Sequence, residues 1–222
     1  MAIADRTTAS EVGIGLYWLP LGAGDRVARL VGFAFEAVAA RLASRRRLDL
    51  YHAALEVRTL AARFVIEVAP YHWGGEARAC HAVVAEGPLG VPAAVSRVGL
   101  FRYELRCWQD GIIADVEHAI ASPVQISDDV CAASRLLDLV PFVPMCTWGR
   151  DELGVGEMWT SNSVISWLIA RSDACSADLH PPAGGRAPGW DAGAQIAARE
   201  LAWPPPLDPV WGPPARAEAE AP

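Results

Sequence analysis

"LYHAALEV" (residues 50–57) and "RFVIEVAP" (residues 63–70) alternate in period two and carry β-branched and aromatic residues. That pattern predicts two neighbouring strands. On the first, His52 shares a face with Leu50, Ala54 and Glu56. On the second, Glu67 shares a face with Val65 and Ala69. A hairpin with an even-length connection brings His52 and Glu67 to one face, as opposite or diagonal neighbours. A carboxylate beside an imidazole fixes its tautomer and favours its protonated form. Glu67 itself, inside "FVIEVA", needs a partner if buried.

N-terminal to this pair, "GIGLYWLPLGAG" reads as a short apolar strand closed by Pro and Gly. "DRVARLVGFAFEAVAARLASRRR" has apolar residues at 27, 30, 31, 34, 35, 38 and 42, the spacing of a helix, with Asp25 as its cap. "HAVVAEG" is a candidate third strand. "SRVGLFRYELRCW" is the longest strand signal and ends at Asp110-Gly111. "SDDVCAASRLLDLV" reads as a helix capped by Ser127. "PFVPMC" is expected to be extended, because its prolines disfavour a helix. "NSVISWLIAR" is a further helix. "PPAGGRAPGWDAG" is expected to be a loop packed through Trp190, and "AQIAARELA" one more short element.

The expected class is α+β, with a mainly antiparallel sheet packed against helices. The expected divisions are a loose tail over 1–12, one domain over 13–202 and a Pro-rich tail over 203–222.

Composition removes several classes. The net charge is −7 and every basic residue is Arg. A nucleic-acid binder would show a basic stripe; here "RLASRRRLDL" is the one basic cluster. Its plain reading is a solvated helix end, and the alternative is contact with an anion or a lipid surface. No run of about 18 uncharged apolar residues occurs, so no transmembrane helix is expected. The beginning, "MAIADRTTASEVG", lacks the order of a signal peptide, and a cytoplasmic protein is expected. The five cysteines lie far apart without a CxxC, which favours free thiols over disulfides or zinc. No phosphate-binding glycine motif occurs. Neither a metal nor a cofactor is expected.

The remaining chemistry gathers at "EMWTSNSVISWL" (157–168), where small polar residues precede an apolar run. Ser161, Asn162 and Ser163 suit a helix cap. Ser163 is also a candidate nucleophile, and the amides at a helix start can hold an oxyanion. Trp159 and Trp167 flank it as candidate walls of a substrate pocket, with core packing as the alternative.

"LYHAALEV", "RFVIEVAP" and "MWTSNSVISWL", in that order, resemble the circularly permuted branch of the NlpC-like, papain-like fold. That branch includes lecithin:retinol acyltransferase-like enzymes and PPPDE deubiquitinating peptidases. The resemblance covers roughly residues 48 to 170. It implies His52 as base, Glu67 as the orienting residue, Asn162-Ser163 in place of an Asn-Cys pair, and Trp167 as the downstream aromatic. It implies an acyl hydrolase or acyltransferase acting on an amide, isopeptide or ester. Ser replaces the family's Cys, and a hydroxyl depends on its base far more than a thiol does. The alternatives are an inactive module of the same fold binding a peptide or acyl ligand, and an interaction protein that offers its Pro-rich tail to a partner. A lipid substrate is a further option.

Overall fold

The hairpin at the centre of the sheet forms as the alternation predicts. In the computed structural model, which describes residues 12–22, 26–70, 82–90, 102–174 and 179–199, β2 (Asp49–Arg58) turns into β3 (Arg63–Pro70). The pairing runs from Arg58↔Arg63 to Leu55↔Ile66. Its four-residue connection is closed by Thr59, whose N–H donates to the Ala62 carbonyl at 2.9 Å.

β1 (Gly13–Pro20) lies antiparallel along β2 over its whole length, from Gly13↔Arg58 to Pro20↔Tyr51. Between these partners the chain makes an excursion, α1 (Arg26–Leu42). On the other side of the hairpin come β5 (Arg102–Gln109) and then β4 (Val83–Pro88), both antiparallel to their neighbours. β6 (Val124–Ser127) edges β1. The order is β4-β5-β3-β2-β1-β6, and the two-residue β7 (Gly185–Arg186) joins β2 in parallel.

Three helices cover one face of this sheet: α2 (Val130–Leu139), α3 (Ser161–Arg171) and α4 (Trp190–Ala198). The main core lies between them. Trp18, Tyr51, Leu55, Ile66, Tyr103 and Leu105 from the sheet meet Leu136, Val164, Ile165 and Leu168 from the helices. Each such fully buried side chain contributes roughly 1.5–3 kcal/mol. The protein is α+β, with a mainly antiparallel sheet packed against helices.

Three local expectations change. The cap of α2 is Asp129, whose carboxylate accepts from Cys131 N at 2.8 Å; Ser127 ends β6 and accepts from Asp129 N. "PFVPMC" begins inside a 3-10 turn, Val140–Phe142, because a proline fits the first turn of a helix where no donor is needed. α4 starts at Trp190, ahead of "AQIAARELA", and Trp190 packs on Trp18 with ring centroids 4.8 Å apart. β6 had no clear sequence signal. The expected Asp25 cap, residues 1–11 of the tail expected over 1–12, and the Pro-rich tail at 203–222 lie outside the described residues.

Candidate functional site

α3 starts at a capping box. Thr160 is extended, and its hydroxyl accepts from Asn162 N at 3.1 Å. Ser163 Oγ reaches back to accept from Thr160 N at 2.9 Å. These bonds satisfy amides that a helix start leaves open. The same hydroxyls also donate. Thr160 Oγ1 donates to Pro188 O at 2.6 Å, Ser163 Oγ to Gly189 O at 2.7 Å, and Ser166 Oγ to Trp190 O at 2.7 Å. Hydroxyls spaced three apart on α3 therefore meet three successive carbonyls where α4 begins.

Two glycines permit this approach. Gly189 has φ +84, and a Cβ there would press on Ser163 Oγ and Thr160 Oγ1. A Cβ on Gly193 would run into the Ser163 carbonyl and Ser166 Oγ. Ser163 is fully buried. Asn162, also buried, donates from Nδ2 to Tyr51 O and Pro188 O, both at 3.0 Å, and its Oδ1 has no hydrogen-bond partner among the described residues. Asn162 therefore ties the start of α3 to β2.

His52 and Glu67 belong to the opposite face. Tyr51, Ala53 and Leu55 point into the helix-covered core. Alternation turns His52 and Ala54 the other way, beside Leu19 of β1. Carrying the β2–β3 register onward sets Glu67 across from Ala54, so His52 and Glu67 share this second face as diagonal neighbours. Arg106 is the partner of Glu67 on β5. Its guanidinium is bound to Glu104 through Nε and Nη2, at 3.1 and 2.9 Å from one oxygen.

A loop roofs this face. Arg63 Nη2 donates to Gly111 O at 2.7 Å, and Ile120 N donates to Trp18 O at 2.9 Å. Between these anchors Asp115 sits in the left-handed region at φ 57, close enough for its charge to act on both His52 and Glu67.

The electrostatics follow from burial. Glu67 is 6% exposed and makes no hydrogen bond among the described residues. Burial pushes its carboxyl up to about 7; Arg106 opposes the rise and Asp115 adds to it. His52 keeps part of its surface on solvent, yet protein surrounds the ring. Burial pushes it down to about 4, with Asp115 pulling the other way. Near neutral pH the face thus holds a neutral imidazole and a carboxyl group balanced between its two states.

The structure brings His52 and Glu67 to one face and adds Asp115, Glu104 and Arg106. It does not bring Ser163 to them, because the sheet stands between. Trp159 and Trp167 are buried in the main core. The recess beside Trp159, Cys146 and Ile196 is closed to water-sized molecules. Cys107, Cys131 and Cys146 are free thiols, and burial pushes Cys107 up to about 12 and Cys146 to about 11. Asp115, Glu117 and His118 bring ligand-type atoms within 4.8 Å of one another on a largely exposed turn.

Sequence reasoning missed Asp115, Glu104 and Arg106. Period two along "RYELRCW" puts Glu104 and Arg106 on one face, which was legible; the placement of Asp115 depends on the loop. Among the described residues no helix is long and apolar enough to cross a membrane. No family model, curated protein or solved structure matches the chain.

Proposed function

We propose that the chain is a ligand-binding module that forms no acyl-enzyme at Ser163, with a peptide or an acyl compound as its ligand. The observation that carries this reading is the closure of Ser163. Its oxygen accepts from Thr160 N, its proton goes to Gly189 O, and the side chain has no exposed surface. A serine nucleophile needs a base within hydrogen-bond reach and an open approach for a carbonyl. Here the acceptor of the hydroxyl proton is a peptide carbonyl, which is no base. The ligand class rests on the resemblance of the sequence to papain-like proteins. The test is a fluorophosphonate probe on the native protein. No labelling is expected. Labelling that disappears in Ser163→Ala would restore the acyl-transfer reading with Ser163, His52 and Glu67.

A second reading has its own support in Glu67. A buried carboxyl with a pKa of about 7 beside a neutral imidazole is suited to proton transfer at neutral pH. In this reading Glu67 takes a proton from a water that attacks an amide or ester carbonyl, then returns it to the leaving group. Hydrolysis of a chromogenic ester should then rise with pH through about 7 and disappear in Glu67→Gln. A rate unchanged by that substitution removes the reading.

A further inference from the structure

The last turns of α1 carry two exposed apolar side chains. Val38 and Leu42 belong to the apolar spacing that predicts this helix, yet they are 59% and 82% exposed. The buried positions of its last turns are Glu36 and Ala40. Glu36 faces inward because its carboxylate is engaged by Arg45, Leu48 N and Arg186. Phe33 is exposed as well, and the Arg47 guanidinium stands 4.8 Å from its ring centroid. Arg41, Arg46 and Arg47 are exposed and make no ion pair among the described residues. Cations without an ion pair among the described residues and the bare side chains of Val38 and Leu42 therefore share the C-terminal end of one helix, in a chain whose net charge is −7.

We propose that this end of α1 docks on an anionic lipid surface, with Val38 and Leu42 entering the headgroup boundary and Arg41, Arg46 and Arg47 meeting the lipid phosphates. An interfacial helix combines these two features, apolar burial and attraction to anionic lipids. Charge complementarity selects this occupant over a second copy of the chain. A two-fold contact through the same patch would set three arginines against three arginines, and like charges across an interface are unfavourable. The acidic remainder of the molecule is repelled by the same surface, which orients the protein with α1 toward it. The inference is independent of the reading of Ser163.

The test uses the full chain and sedimentation with phosphatidylcholine vesicles, with or without phosphatidylglycerol. Binding is expected on the anionic vesicles and should weaken as salt is raised. Val38→Asp with Leu42→Asp should weaken it by about tenfold or more, and so should replacing Arg41, Arg46 and Arg47 by Gln. Equal binding, or none, on the two vesicle types at low salt overturns the proposal. Binding retained by the Val38→Asp, Leu42→Asp variant also overturns it. If that variant instead turns a dimer into a monomer, the occupant is a second copy. If its melting temperature falls sharply, the chain itself covers the patch. An unchanged melting temperature with lost binding is the result expected.

Discussion

Ser163 Oγ lies 2.7 Å from the carbonyl oxygen of Gly189 and donates its proton there, which joins α3 to the start of α4. Ser163→Ala should therefore act on stability. It removes this bond and leaves the buried Thr160 N–H without its acceptor. A loss of about 1–3 kcal/mol is expected. Urea unfolding of the two proteins measures it, and equal midpoints would show that the capping box contributes nothing.

Ser163→Cys separates a cap from a nucleophile more sharply. A thiol in a working papain-like site reacts rapidly with iodoacetamide because a nearby base ionises it. At this fully buried position, with His52 beyond the sheet, the introduced thiol should stay unlabelled until urea opens the fold. Rapid labelling at position 163 of the native variant, beyond that of the exposed Cys131, would contradict the separation of the two faces.

Glu67 should make stability fall as pH rises. Its folded pKa, about 7, is above the ordinary value of 4.5. Its contribution is therefore fully present below 4.5 and is lost as pH climbs through 7. Glu67→Gln keeps the shape and cannot ionise. Relative to the unsubstituted protein it should gain up to about 3 kcal/mol at pH 8 and nothing at pH 4.5. Unfolding curves at the two pH values decide this; an equal effect at both would mean that the carboxyl is not perturbed.

His52 has the opposite sign. Its folded pKa, about 4, is below the ordinary 6.5. Its contribution is present above 6.5 and is lost as pH falls from there through 4. His52→Gln should flatten the acid limb of the stability profile in that window, and NMR titration of the ring should find it neutral at pH 6. A ring that titrates near 6.5 refutes the prediction.

Gly193→Ala tests the contact of the two helices. The added methyl would meet the Ser163 carbonyl, a backbone atom that cannot turn aside. Overpacking of this kind costs about 1–3 kcal/mol, despite the better helix propensity of Ala. A melting temperature equal to that of the unsubstituted protein would show that α4 is free to move away.

The central hairpin was legible because period two is a local property, and its four-residue connection carries the parity that aligns His52 with Glu67. β6 was not legible: "VQIS" is four residues long, follows a proline and includes a polar Gln. The helix at Trp190 was hidden by the Gly and Pro around it. Ser163 shows the sharper limit. Hydroxyls at 160, 163 and 166 recur at spacing three, a visible signal of one helix face, but the carbonyls they meet lie more than twenty residues onward. Which face of β2 receives α3 is a tertiary choice, and it alone decides whether His52 and Ser163 meet.

The packing of Trp18 against Trp190 links the first strand to the last described helix. Such a pairing has almost the largest sequence separation the domain allows. During vectorial synthesis, β1 and β2 emerge early, while their apolar face stays bare until residues 161–198 have followed. Closing so long a loop delays the reward for its entropic cost, and folds dominated by distant contacts form slowly. An assembling chain of this design is exposed to self-association until its final helix arrives, so truncation before Trp190 should yield aggregates in place of a smaller folded domain.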